Sequence, residues 1–338
     1  MSFSEDLLET SDSEFRTSRD AYLACLESWS SPNLGTTSTA LPPQLNQSQL
    51  AGRYFELKRS YILSSPYLIS QPTPIQRRFC AIIQSFSAPH VSAYLFALPN
   101  PRLSQVMSPE EFRANMALRL LMPLFSGLKM CSRSNCSLPM DPFGYHHGLN
   151  CCTSERFRRH EEVATQLGVL AHDAGLQPVR NAKVQCLGPS WRPGRQVSNT
   201  SSSNGFTLFR PADILINGVN GGRRVCVDCT VVSPIRSSSS PPLNFKVGLA
   251  AYMAQEDKYD KHLVATNAAN LGFLAFAVDC FGVLAPDALS LLSRISSCLQ
   301  ITKGYPAYLA KQLVFRKISF AIHVGVARQL VARKEFNF

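Results

Sequence analysis

Between Ala212 and Val232 the sequence leaves little choice of local structure. Ala212-Asp213-Ile214-Leu215-Ile216 is a short apolar run, Val219-Asn220-Gly221-Gly222 is a turn, and Arg223–Val232 is rich in β-branched residues. Asn-Gly between two apolar runs is a strong hairpin signal, because the tight turn that matches strand twist needs positive φ at its centre. Two strands, Ala212–Ile216 and Arg223–Val232, are therefore expected side by side. Each carries one carboxylate: Asp213 opens the first and Asp228 sits in the middle of the second. A carboxylate inside a β-branched strand is costly to bury without a partner. Two of them on neighbouring strands can share a divalent cation. That arrangement activates water and clamps a phosphodiester. On spacing alone, Asp213 also fits a cap or turn residue, and Asp228 a surface residue on an edge strand.

The flanking pattern is α/β. Glu155–Ala174 reads as a helix with an apolar stripe of Val163, Leu167, Leu170 and Ala171, and Gly175 is its natural C-cap. A strand is expected at Lys183–Leu187, then the hairpin, a long helix at Phe245–Asn267, a buried strand at Gly272–Val278, and a helix at Pro286–Leu299. Polar loops fall at Gly188–Gly205 and Ser233–Pro242. The long helix carries Glu256, Lys258 and His262. Lys258 and His262 are four apart and share a face. A lysine there can hold the attacking water or neutralise a transition-state phosphate.

Ahead of this core lies a compact cysteine–histidine cluster. Cys131, Cys136, His147 and Cys151 are spaced C-x4-C-x10-H-x3-C around a tight Asp-Pro/Gly turn. Zinc takes four soft ligands in a tetrahedron, and two short pairs joined by a turn supply them. His146 and Cys152 are adjacent, and either can replace its neighbour. With all four positions filled by protein, the zinc would be structural. Residues 56–130 read as a helical lead-in, with a helix start at Ser108-Pro109-Glu110-Glu111. Residues 1–55 read as a polar, disordered tail with a short amphipathic helix around Arg19–Trp29. Residues 301–338 read as a basic helical end. Its Lys311, Arg316, Lys317, Arg328, Arg333 and Lys334 form either a solvated face or a phosphate-contacting one.

Lys and Arg total 34 against 23 Asp and Glu, a formal net charge of +11, which favours an anionic partner. No apolar stretch is long enough to span a bilayer. The acidic, Ser-rich start lacks the features of a signal peptide. The expectation is an intracellular protein, nuclear or cytoplasmic, with reduced cysteines. No phosphate-binding P-loop and no G-x-S-x-G elbow occurs. His90, His172 and His323 stand isolated and read as packed or solvated histidines.

Together these motifs resemble the C-terminal region of non-LTR retrotransposon proteins that carry a restriction-enzyme-like endonuclease. The resemblance runs over about residues 80–290. It rests on the order of the zinc knuckle (Cys131–Cys151), Arg159-His160-Glu161, Arg210-Pro211-Ala212-Asp213, Val227-Asp228-Cys229-Thr230-Val231-Val232, and the helix bearing Glu256, Lys258 and His262. Phe273–Gly282 is similar to the family's next strand and turn. The resemblance implies a PD-(D/E)xK fold at residues 153–300: a mixed central sheet flanked by helices, preceded by a zinc knuckle at 131–152. It implies Asp213 and Asp228 as Mg²⁺ ligands, and Lys258 as the catalytic lysine with Glu256 nearby. Arg156, Arg158, Arg159 and His160 would contact DNA. Three positions depart from the pattern. Ala212 separates Pro from Asp, Glu161 replaces Asn, and Thr230 stands where a strand lysine would be, so Lys258 or Lys246 must substitute. The sequence has no Tyr-x-Asp-Asp polymerase signature. The implied activity is Mg²⁺-dependent DNA nicking or cleavage, with DNA, or RNA of the parent element, as partner. The alternative is a catalytically inactive, zinc-containing nucleic-acid-binding protein.

Overall fold

The computed structural model describes residues 59–332 except for 71, 98, 104, 126–135, 137–140, 146–150, 152–153, 182–183, 188–205, 210–211, 221 and 236–244. The chain divides into two compact units at Ile62/Leu63, and the features below belong to the second, Leu63–Phe338. The tail, its Arg19–Trp29 helix and the loop Gly188–Gly205 lie outside the described residues.

The helical elements are α1 (Pro66–Ile69), α2 (Thr73–Phe86), α3 (Pro109–Arg119), α4 (Ser154–Asp173), α5 (Leu249–Ala268), α6 (Pro286–Lys303) and α7 (Ala307–Val331). The strands are β1 (Val179–Arg180), β2 (Val184–Leu187), β3 (Phe206–Phe209), β4 (Ile214–Asn220), β5 (Arg223–Val232) and β6 (Gly272–Asp279). The main sheet has the order β1-β4-β5-β6. Its first three strands are antiparallel, and β6 runs parallel to β5. The β5–β6 connection passes through α5, as a parallel pair requires. The second sheet is the pair β2–β3. The protein is thus mixed α/β, with a four-stranded open sheet and seven α-helices among the described residues.

Strand periodicity decides which face each residue serves. Ile214, Ile216, Val225, Val227, Cys229, Val231, Phe276 and Val278 point into the large core, which also contains side chains of α4, α6 and α7. Leu215, Cys226, Phe273 and Ala275 form a smaller cluster on the other face, with Tyr259 of α5 against it. Asp228 alternates with Cys229 and so belongs to the α5 face.

The local signals at the element ends are mostly those read in the sequence. Ser108 caps α3 and completes a capping box with Glu111. Gly175 follows α4 with a φ of +77°. The long helix α5 starts at Leu249 rather than Phe245, because Gly248 takes a left-handed conformation that breaks the helix there. Strand β1 was not expected.

Residues 301–338, read as a basic helical end, contain α7. Its first turns are exposed, with Lys311 outside, and so is Arg328 near its close, but every residue from Lys317 to Ala327 is buried. Lys317 itself is 7% exposed and pairs with Asp173 at 3.7 Å. The lead-in helices α2 and α3 share the same core as α7 and the sheet. His323 is packed against Tyr94 with ring centroids 4.0 Å apart, and burial pushes it down to about 3. His90 stacks on Phe315, and His172 is exposed beside Asp173.

Helices α4 and α7 approach closely at Gly325. A Cβ there would lie 2.8 Å from Arg159 Cγ and 3.2 Å from Arg159 Cα. Helix propensity alone would make Gly325→Ala stabilising by about 1 kcal/mol. The contact with backbone reverses the sign, since overpacking costs about 1–3 kcal/mol. A urea midpoint lower than the parent's is the expected result.

Candidate active site

The site lies at the end of the sheet where β4 begins and β5 nears its close. Ile214 pairs with Val227 and Asp213 N donates to Val227 O at 3.1 Å, so Asp213 and Asp228 face each other across the two strands. Both are buried, at 8% and 7% exposure. Strand β5 lies between β4 and β6, which removes the edge-strand alternative for Asp228. The cap alternative for Asp213 fails as well, because its Oδ2 accepts from the Cys229 amide of the neighbouring strand at 2.8 Å.

Helix α5 closes the site from one side. Lys258 Nζ lies 2.7 Å from Asp228 Oδ2, and His262 Nε2 lies 3.4 Å from the same oxygen. The i,i+4 spacing that put these residues on one face thus brings both to one carboxylate. Glu256 does not join them. It is exposed and accepts from Gln255 Nε2 at 3.3 Å. Residues two apart on a helix do not face each other, which is why Glu256 and Lys258 part company. Lys246, the other lysine considered, is exposed ahead of α5. Thr230 lines the cleft beside Lys258.

Helix α4 closes the site from the other side. His160 Nε2 is 3.3 Å from Asp213 Oδ2 and 3.9 Å from Glu161 Oε1. Glu161 is also held by Arg180 of β1 at 2.8 Å. His160, Glu161 and Asp213 offer donor atoms within 4.8 Å of one another, a grouping able to hold a metal ion. The cleft beside them is lined by Arg156, Phe157, His160, Thr230 and Lys258. Of the four residues expected to contact DNA, Arg156 and His160 therefore line the cleft. Arg158 lines a separate cavity with Glu111, Glu162 and Arg328. Arg159 requires correction: it is 1% exposed, packs against Gly325, and donates to Val231 O at 3.4 Å. It ties α4 to β5 from inside the core and offers no surface to DNA.

The two carboxylates are within hydrogen-bonding reach of each other, and their environments drive their titrations apart. Burial pushes Asp213 up, but His160 and the Cys229 amide more than offset it and hold it below the ordinary carboxylate value. Burial also pushes Asp228 up. Lys258 pulls it back only in part, Asp213 adds repulsion, and Asp228 ends above the ordinary value.

Compared with known proteins, the sequence matches no family model and no curated relative. The site therefore stands on its own geometry.

Of the zinc candidates, Cys136 is half-buried and Cys151 is buried. Cys131, His147 and the substitutes His146 and Cys152 lie outside the described residues. Sequence reading missed the Asp228 contact of His262 and the place of Phe157 in the cleft. His262 carried a usable signal in its spacing from Lys258; exposed Phe157 carried none. Among the described residues, no helix is long and apolar enough to cross a membrane.

Proposed function

We propose that this protein is a metal-dependent DNA endonuclease of the restriction-endonuclease-like, PD-(D/E)xK type. It would nick or cleave DNA by phosphodiester hydrolysis, as the retrotransposon resemblance implies. One observation carries the reading: Asp213 and Asp228 meet across paired strands with Lys258 at 2.7 Å from Asp228. The element order α4, β1, β4, β5, α5, β6, with a mixed sheet, supports it.

The residues fit a hard divalent cation. Asp213 and Asp228 supply oxygen donors, and a cation would offset the burial and the Asp213 repulsion that raise Asp228. Bound there, Mg²⁺ would supply an activated water and charge neutralisation at the scissile phosphate. The protein's own residues do the rest. Asp213 is fixed by the Cys229 amide and His160, which orients its oxygens. Lys258 Nζ can turn its protons from Asp228 to the attacking water or the phosphate oxygen as negative charge develops. Arg156 and His160, lining the cleft, give the phosphate backbone cationic and hydrogen-bonding contacts.

The test is conversion of supercoiled plasmid to the nicked form by purified protein in Mg²⁺. Nicking that stops with a chelator and resumes with Mg²⁺ is expected. A second reading, an inactive zinc-containing nucleic-acid-binding protein, is favoured by Thr230 at the position of the strand lysine. DNA binding without any Mg²⁺-dependent nicking would select it. On either reading DNA, or RNA of a parent element, is the partner, and a nuclear or cytoplasmic location is proposed.

The same resemblance proposes structural zinc at Cys131, Cys136, His147 and Cys151. Elemental analysis is expected to give one zinc per chain. Cys136→Ser should lose most of it, because one soft ligand of four is removed.

A further inference from the structure

A second groove lies away from the two aspartates, where the segment after α2 meets the first turns of α7. Its walls include His90, Phe96, Tyr308, Lys311, Phe315 and Arg316, and among the described residues no carboxylate lines it. Phe96 and Tyr308 are 68% and 67% exposed. Large rings left this open forgo burial that the core could have given them. His90 stacks on Phe315 with centroids 3.8 Å apart, which makes a rigid flat wall. Neither Lys311 nor Arg316 has a carboxylate partner among the described residues. The leading amides of α7, with no side-chain cap on them, add positive potential at the same end.

Open rings interleaved with unneutralised cations fit an anionic polymer that presents flat faces. A duplex keeps its bases stacked inside, so only an unpaired strand can use the rings. We propose that this groove binds single-stranded DNA, with bases stacking on Phe96 and Tyr308 and phosphates meeting Lys311 and Arg316. Stacking and phosphate contact use no 2′-hydroxyl, so deoxyribose suffices. Burial and the nearby Lys311 charge already hold His90 low. A phosphate placed there would raise it.

The site does not depend on the nuclease reading. The probe is a fluorescein-labelled twelve-residue oligo-dT, titrated by anisotropy at low salt without Mg²⁺. The parent and the Asp228→Asn variant should bind alike, with affinity falling as salt rises. Phe96→Ala and Tyr308→Ala alter exposed rings and should each weaken binding by about tenfold, within the range that loss of one base stack gives. Lys311→Ala should weaken it and flatten the salt dependence. A His90 imidazole titration by NMR should move upward on adding the oligonucleotide. The proposal fails if the Phe96→Ala/Tyr308→Ala double variant binds like the parent. It fails equally if the double variant loses duplex binding to the same extent, or if oligo-rU binds more tightly than oligo-dT. A double variant that changes the oligomeric state in sedimentation would show instead that a second copy occupies the groove.

Discussion

Asp228→Asn should lower the plasmid-nicking rate by about a thousandfold, the scale expected when one group that organises transition-state charge is removed. The same variant should fold normally. In the parent, Asp228 is buried against another carboxylate and sits above its ordinary value despite Lys258. Asparagine has the same shape and relieves the repulsion with Asp213. The urea midpoint should therefore stay level or rise while activity disappears. A structural role for Asp228 would give the opposite, with stability and activity lost together.

Asp279 gives the second large effect, on stability. It ends β6, is fully buried, and its Oδ1 accepts from the Phe281 and Val283 amides at 2.9 Å each. Its Oδ2 is buried without a hydrogen-bond partner among the described residues. Burial pushes the carboxyl up to about 7, against the amide hydrogen bonds that pull it down. The sign follows from proton counts. Below about pH 4 both folded and unfolded chains hold the proton. Between there and about pH 7 the unfolded chain has released it while the folded chain retains it, so stability falls as pH rises. Above pH 7 both are ionised and the loss levels off. Asp279→Asn removes this slope and leaves an oxygen to accept both amides. Relative to the parent, the variant should gain about 2–3 kcal/mol between pH 5 and pH 8. Paired urea titrations at the two pH values measure this directly. An unchanged difference would mean that Asp279 keeps an ordinary carboxylate value in the fold.

The sheet was readable because its signals are local. Strand β5 has the bounds Arg223–Val232 expected from its β-branched run, and it pairs with β4 as the hairpin signal implies. The turn alone does not set Asp213 opposite Asp228: the Asn220–Arg223 register, continued, would bring Asp213 to Thr230, and the register shift between Ile216 and Asn220 moves it to Asp228. Helix spacing likewise foretold that Lys258 and His262 act on one side. What failed depended on distant packing. Arg159 looks like its neighbours Arg156 and Arg158 in sequence, and only the close crossing of α4 over Gly325 makes it a core residue. Helix α7 carries enough lysine and arginine to read as a surface. Its uninterrupted burial from Lys317 to Ala327 follows from having α3, α4, α6 and the Ala93–Phe96 turn around it. Strand β1 has two residues, too short to show a period. Glu256 stands apart for a simpler reason: two residues from Lys258, it lies on another side of α5 and is exposed.

The most direct measurement of the central claim is anomalous diffraction from crystals soaked in Mn²⁺, with Mn²⁺ standing in for Mg²⁺. One Mn²⁺ peak ligated by both Asp213 and Asp228 is expected, and it should vanish in Asp228→Asn crystals. A parent crystal that shows no metal at the two aspartates, from protein that still nicks DNA, would contradict the assignment.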